Sequence, residues 1–303
     1  MSNIFYETIT DIVPAENVIE NEPMCKHTSF RLGGPARWMI LIDDEEQLAK
    51  VVSYLRITEK PFFLLGNGSN LLVSDRGYNG IVLKLSEQFR RVEVHGNQIL
   101  AGAGALMSAV AAKARDAKLT GLEFASGIPG TIGGGVVMNA GAYGGEMKQV
   151  VETVKVLTPS GEYAVLDRDV MEFGYRTSAI RNKDYIVVEV TFSLQDGEYE
   201  TIADKMEEMA RMRKEKQPLE YPSAGSFFKR PEGYFAGKLI MDAGFRGYRI
   251  GGAQVSEKHC GFIINAGGAT ASDVRDLMIQ VQERVKEMFH VELEQEVIFL
   301  GEF

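Results

Sequence analysis

The sequence has two cysteines, four histidines and fewer basic than acidic residues, 33 Lys and Arg against 42 Asp and Glu. Each shortage closes off a class of function. Cys25 and Cys260 are too few for a disulfide framework and lack metal-ligand spacing, so both read as free thiols, buried or partly buried. His27, His95, His259 and His290 show no metal spacing either, and none of them is assigned to catalysis. A net charge of -9 leaves room for local basic sites but not for a general nucleic-acid binder, which needs a basic excess to release counterions. No uninterrupted apolar run reaches bilayer-spanning length. The opening MSNIFYETITDIVPAENVIENEP has no basic segment followed by an apolar core, so the expectation is a cytoplasmic chain that does not enter the membrane. No repeat of solenoid period is visible. With 303 residues, 45% hydrophobic and 25% charged, the chain is ordered rather than disordered and long enough for two or three modules.

Three modules are expected, 1-90, 91-197 and 198-303. In the first, ARWMILI reads as a strand, and DDEEQLAKVVSYLRIT as a helix capped by Asp43 or Asp44 that buries Leu48, Val51, Val52 and Leu55. PFFLLG and GIVLKL are further strands. Between them GNGSN, Gly66 to Asn70, joins strand to strand, which argues against a dinucleotide fingerprint, where the loop must open a helix. In the second module RVEVHGNQILAGAG reads as a hairpin about Gly96-Asn97, followed by a helix in ALMSAVAAKARDAKL. VVETVKVLTPSGEYAVL and YIVVEVTFSL are strands. Gly102 and Gly104 mimic part of a phosphate loop, but Met107 stands where the third glycine belongs, so a plain strand-to-helix turn is the better reading. In the third module TIADKMEEMARMRKEK is a charged helix with Ile202, Met206, Met209 and Met212 as core filler. YPSAGSFFKRP is a loop, ASDVRDLMIQVQERVKEMF an amphipathic helix, and VELEQEVIFLG the closing strand.

What the sequence has in abundance is glycine in one place. GIPGTIGGGVVMNAGAYGGE, Gly127 to Glu146, has eight glycines in twenty residues. Pro129 and Asn139 exclude a membrane helix. Ile128, Ile132, Val136, Val137 and Met138 make the segment too apolar for a loose linker, and Gly133 lacks the Lys-Ser or Lys-Thr that a P-loop needs after it. Two readings remain. Either the bare backbone lies against a large ligand, its N–H groups pointing at phosphate or ring atoms, or the glycines make a tight crossing inside an ordinary core.

Taken together and in this order, GNGSNLLV, GIPGTIGGGVVMNAGAYGGE, YRTSAIR, GSFFKRP, GGAQVSEKHCGFIINAGGATASDV and LEQEV closely resemble the UDP-N-acetylenolpyruvoylglucosamine reductase family, over the chain from about Asn21 to its end. The resemblance implies an α+β chain. Non-covalent FAD would lie between two N-terminal subdomains of the vanillyl-alcohol-oxidase (PCMH) type of fold, and a C-terminal α/β domain would cover the substrate. It also implies the shorter, second type of the family, and an NADPH-dependent reduction of UDP-N-acetylglucosamine enolpyruvate to UDP-N-acetylmuramate in peptidoglycan synthesis, a step serving cell-wall biogenesis, cell shape and cell division. Cofactor contacts are expected at Gly66, Asn67, Gly68, Ser69, Asn70 and Leu71 in the first loop. In the second segment they are expected at Gly127, Ile128, Pro129, Gly130, Thr131, Gly133, Gly134, Met138, Asn139, Gly141 and Ala142. The absence of His and Cys from GNGSNLLV argues against a covalent flavin tether there.

Reducing an enol ether beside a carboxylate leaves negative charge on the carbon next to that carboxylate, so the site needs a cation, an acid and a proton source. The resemblance places these at Arg176, Ser226 and Glu296. Arg176 has the forked donors a carboxylate needs. Ser226 matches the proton donor of the family, with Lys229 and Arg230 close behind it to favour proton release. For Glu296 there is a separate argument: alternation puts Glu292, Glu294 and Glu296 on one strand face that Ile298 and Leu300 continue as apolar, a boundary where a carboxyl group can have a raised pKa. Tyr175, Lys229, Arg230, Lys238 and Arg246 are further candidates for holding the substrate, and His259 lies in one of the matching motifs. An oxidase or dehydrogenase of the same flavin fold, or a flavin- or nucleotide-sugar-binding regulator, is the alternative. Neither needs this trio.

Overall fold

The structure is a computed structural model describing residues 2–303; Met1, the first residue of the first expected module, lies outside the described residues. The helix at Glu45–Ile57 shows how local sequence sets an element. The Asp44 carboxylate accepts from the Gln47 N–H at 2.8 Å, Glu45 and Glu46 occupy the first turn, and Leu48, Val51, Val52 and Leu55 are all buried. Strands Val18–Pro23, Pro35–Ile42, Tyr78–Leu85 and Phe62–Leu65 form a four-stranded sheet in that order. A five-stranded antiparallel sheet follows, in the order Tyr163–Asp167, Val151–Leu157, Ile186–Ser193, Gln98–Gly102, Val92–His95. Its edge hairpin pairs His95 with Gln98 across the expected Gly96-Asn97 turn.

The chain divides into two compact units. One comprises the chain up to Ile19, Met39–Gly66 and Val82–Arg213; the other comprises Glu20–Trp38, Asn67–Ile81 and Lys214–Phe303. In the first unit the Met107–Asp116 helix buries Met107, Val110, Ala111 and Ala114. Gly102 ends the strand that precedes it, and a Cβ there would lie 2.2 Å from the Phe89 carbonyl oxygen. That partial glycine motif is therefore a packing turn.

The second unit is built on the Ala271–Phe289 helix, whose Val274, Leu277, Met278, Val281 and Val285 line one core with Phe227, Phe228, Phe30, Leu72, Ile240 and Ile263. A four-stranded antiparallel sheet, ordered Ser223–Ser226, Phe262–Asn265, Ala253–Val255, Arg249–Ile250, contributes to this core. Thr270 and Asp273 close a capping box, and Asp75 receives the Ala271 and Ser272 N–H groups at 2.7 and 2.9 Å.

Three elements differ from expectation. Ser223–Ser226 is a strand, irregular between its ends, because Ser223 and Ser226 find partners in Ile264 and Phe262 that no local pattern reveals. In VELEQEVIFLG only Ile298–Leu300 is a strand, paired in parallel with Leu71–Val73, and Ile298 is 41% exposed. The alternating face drawn through Glu296 is therefore interrupted at Ile298 and is buried only at Leu300. Of the stripe on the Tyr199–Lys216 helix only Ile202 is buried; Met206, Met209 and Met212 are half-buried.

Candidate active site

The glycine-rich segment folds into a six-residue helix, Ile132–Val137, flanked by turns. Its three consecutive glycines do different work. A Cβ on Gly133 would sit 3.0 Å from the Ala103 Cβ, and one on Gly135 would sit 2.9 Å from the Met107 sulfur and 3.0 Å from the Met147 Cε, so both are glycine to let the helix pack. A Cβ on Gly134 would meet only the Thr131 Oγ1, at 3.6 Å, and Gly134 is exposed between buried neighbours. The same hydroxyl lies 2.8 Å from where a Cβ on Gly66 would be, which brings the end of the Phe62–Leu65 strand against the cap of the glycine helix. The expectation that successive N–H groups face a ligand holds poorly here. Ile132, Gly133 and Gly135 donate to Ala105, Ala103 and Thr131 carbonyls at 2.8, 2.9 and 2.8 Å. The open feature is the bare, flat surface at Gly134. Gly127 and Pro129 are exposed along the approach to it, and Ile128 and Gly130 are half-buried.

Beyond the helix, Gly141–Ala142 and Gly145–Glu146 pair across a turn in which both Tyr143 (φ 52°) and Gly144 (φ 86°) are left-handed. The hairpin returns Glu146 to Asn139. The Asn139 side chain, 2% exposed, donates to Glu146 at 2.7 Å and to the Gly174 carbonyl at 3.1 Å, and accepts from the Lys148 N–H at 2.9 Å. Gly174 and Thr177 close a tight turn with Tyr175 and Arg176 at its tip. Arg176 is left-handed at φ 57°, a conformation an L-residue adopts at a cost, and its guanidinium lies 5.4 Å from the Tyr175 ring centroid. Tyr175 is 58% exposed. The Ser178 hydroxyl donates to the Val137 carbonyl at 2.9 Å, so both flanks of the turn are tied to the end of the glycine helix.

Ser226 and Glu296 both belong to the second unit. The Glu296 N–H donates to the Phe227 carbonyl at 2.9 Å, Phe228 bridges Gln295, and the Lys229 N–H donates to the Glu294 carbonyl at 2.8 Å. The two segments thus run antiparallel, with Ser226 and Glu296, both half-buried, on neighbouring rungs. Phe227, fully buried, anchors this ladder through edge contacts with Phe30, Phe228 and Phe299. Gly225 at φ 79° is open in front, with nothing within 4 Å of a Cβ. From the first loop, Asn70 joins the same ladder by donating its side-chain N–H to the Glu296 carbonyl at 3.1 Å, and Leu71 opens the strand paired with Ile298. Gly68 at φ 61° supplies its carbonyl to the Ser29 N–H at 3.1 Å; Asn67 is exposed and Ser69 half-buried.

The remaining candidates are each bound locally. Lys229 pairs with Glu294, so its charge is compensated within the ladder. Arg230 lies over the Phe235 ring and donates to the Tyr234 carbonyl at 3.2 Å. Lys238 forms an exposed pair with Asp242 at 2.7 Å, and Arg246 donates to the Glu257 carbonyl at 2.7 Å. Burial pushes the His259 imidazole below its usual pKa, and its Nδ1 accepts from the Gly261 N–H at 3.1 Å. Sequence reasoning passed over Arg213. From the Tyr199–Lys216 helix it donates to the Gly127 carbonyl, and burial lowers its pKa. The signal was available: Met209, Ala210, Lys216 and Gln217 leave Arg213 without an acidic neighbour one turn away on a helix rich in glutamate.

With this geometry in place, comparison with known proteins decides the family. An FAD binding domain family matches residues 36–167, and the C-terminal domain family of UDP-N-acetylenolpyruvoylglucosamine reductase matches residues 217–300. A UDP-N-acetylenolpyruvoylglucosamine reductase of Lachnoclostridium phytofermentans is 51% identical over 306 residues, covering 100% of this chain and 99% of that one. The chain belongs to the UDP-N-acetylenolpyruvoylglucosamine reductase family. It is an FAD-binding oxidoreductase of peptidoglycan precursor synthesis acting on a UDP-sugar. Among solved structures, the Thermus caldophilus enzyme of that name aligns with TM-score 0.80 at 37% identity, covering 94% of this chain and 98% of that one. A vanillyl-alcohol-oxidase-type flavoprotein of Myceliophthora thermophila aligns with TM-score 0.50 at 10% identity over 65% of this chain and 48% of its own, a likeness of fold alone. The FAD-binding fold with a C-terminal domain, expected from the motifs, is the fold found.

Proposed function

We propose that this chain reduces UDP-N-acetylglucosamine enolpyruvate to UDP-N-acetylmuramate with NADPH as hydride donor, in the cytoplasm, and through cell-wall synthesis serves cell shape and division. Among the described residues no helix is long and apolar enough to cross a membrane. The residues of the glycine segment fit FAD: Gly134 offers bare backbone to open space, with Gly66 and Thr131 converging beside it. These three, with the backbone from Gly127 to Gly130, would hold the cofactor. FAD, when bound, supplies the two-electron chemistry that couples nicotinamide oxidation to reduction of a carbon–carbon double bond.

The residues of the chain would then handle charge and protons. Arg176 would take the substrate carboxylate in its planar fork, where positive charge is worth most as that carboxylate becomes part of an enolate. Ser226 would donate its hydroxyl proton to the carbon beside the carboxylate, breaking O–H as C–H forms, and would regain a proton afterwards. Glu296, one rung away, would orient that hydroxyl or a water that reprotonates it. The observation that supports this assignment is the ladder itself, in which the 2.9 Å bond from the Glu296 N–H to the Phe227 carbonyl sets the backbones of Ser226 and Glu296 on neighbouring rungs beside a buried aromatic anchor.

The test is anaerobic mixing of the purified yellow protein, first with NADPH and then with the enolpyruvyl substrate. The proposal expects bleaching followed by recolouring with stoichiometric UDP-N-acetylmuramate. Recolouring by dioxygen but not by the substrate would instead favour an oxidase of the same fold.

A further inference from the structure

The turn bearing Arg176 has no strand or helix of its own to hold it, so its position depends on what ties it down. We propose that Asn139 is the positioning residue for Arg176, its buried carboxamide fixing the Gly174 carbonyl and through it the guanidinium. The proposal rests on the reading of Arg176 as the cation that binds the substrate carboxylate. Asn139 sits at φ 44°, where asparagine is tolerated better than most residues. Its amide orientation is fixed by its partners: the Glu146 carboxylate and the Gly174 carbonyl only accept, and the Lys148 N–H only donates. Both Nδ2 hydrogens are thereby committed inside the protein, leaving the side chain no donor for a cofactor. Glu146 is itself fixed, by the left-handed hairpin that returns it and by Lys148 Nζ at 2.6 Å on its other oxygen. Hairpin, asparagine and arginine turn form one chain of bonds. Ser178 on Val137 ties the other flank.

Asn139→Asp keeps the shape but removes both donors, setting a carboxylate against Glu146 and a backbone carbonyl. In the holoenzyme this variant should keep its FAD as firmly as the wild type and bleach with NADPH within about twofold of the wild-type rate. Recolouring by the enolpyruvyl substrate should slow by about 10²-fold, the cost of displacing a positioning group by about an ångström. In an Arg176→Ala background the same substitution should change recolouring by less than about threefold, since the tie would have nothing left to position. The recolouring rate of Asn139→Asp should also rise as pH is lowered, because the introduced carboxyl group, once protonated on the oxygen that faces Glu146 and the Gly174 carbonyl, regains a donor, whereas a merely loosened fold would lose activity. Ser178→Ala, a milder change, should slow recolouring by about fivefold, as expected for one neutral hydrogen bond. Wild-type recolouring in Asn139→Asp, or loss of FAD in step with loss of rate, would overturn the proposal. If Asn139→Asp does not fold, unchanged recolouring in Ser178→Ala would overturn it. Wild-type recolouring in Arg176→Ala would overturn the underlying reading of Arg176 instead.

Discussion

Gly134→Val separates the two uses of glycine in one short helix. Valine at this exposed position meets nothing closer than the Thr131 Oγ1 at 3.6 Å from its Cβ, so the apoprotein loses no packing. Replacing glycine in a helix also gains helix propensity, and for valine that gain is about 0.4 kcal/mol. The apoprotein should therefore melt no lower than wild type, and about 1 °C higher if the unit containing the helix melts on its own. FAD affinity should fall by at least about tenfold, or 1.4 kcal/mol, because a branched side chain then stands where the proposed site would set the flavin cofactor against backbone. Gly133→Val is the control: its Cβ would be 3.0 Å from the Ala103 Cβ and 3.2 Å from the Ala103 carbonyl, so it should lower the apoprotein melting temperature outright. The assay is a thermal melt of each stripped apoprotein beside an FAD titration followed by flavin fluorescence. Wild-type FAD affinity in Gly134→Val would refute the reasoning, as would an apoprotein melting temperature that falls as far as in Gly133→Val.

Arg176→Lys keeps a charge but loses the fork; recolouring by the enolpyruvyl substrate should drop by about 10²-fold while bleaching by NADPH continues, and equal losses in both steps would point to a structural role. At Asp75, burial acts to raise the carboxyl pKa, but the Ser272 hydroxyl, the Ala271 and Ser272 N–H groups and Arg275 outweigh it and hold it below the usual value. A depressed folded-state pKa gives stability that is present above the unfolded value of about 4 and lost as pH falls through the folded one. Asp75→Asn should accordingly cost about 1 kcal/mol at neutral pH, a figure kept small because the group is exposed, and the gap should close in melts run at acid pH. Lys238→Ala breaks only an exposed helical pair with Asp242, so melting should be unchanged within about 0.5 kcal/mol, and a raised KM for the UDP-sugar would mark Lys238 as a substrate contact.

Where partners lie close in sequence, the pattern of residues was enough to read the fold. The cap at Asp44, the hairpin at Gly96 and the apolar stripe of the Ala271–Phe289 helix all depend on neighbours within a few positions. The misreadings depend on distant partners. Ser223–Ser226 reads as turn chemistry until Phe262–Asn265 lies beside it, and Val291–Val297 reads as a strand although Gln295 pairs only with Phe228. The glycine segment was legible as ordered backbone with little side-chain bulk but not as a helix, since glycine suppresses helix propensity and the packing that overrides it comes from Ala103, Met107 and Met147. Candidate residues were found through ordered motifs, and their supports were not. Nothing near Asn139 in sequence announces the Gly174 carbonyl, 35 residues on.

The most direct measurement is anaerobic double mixing of Ser226→Ala, first with NADPH and then with the enolpyruvyl substrate. The substitution removes one hydroxyl from a ladder whose bonds run through backbone, so the Phe227 and Glu296 rungs should persist. Bleaching by NADPH needs no proton at the substrate carbon and should proceed at close to the wild-type rate. Recolouring, which does need that proton, should fall by at least about 10²-fold. Recolouring at the wild-type rate would remove Ser226 from the mechanism and contradict the assignment of the Ser226 and Glu296 ladder as the site of proton delivery.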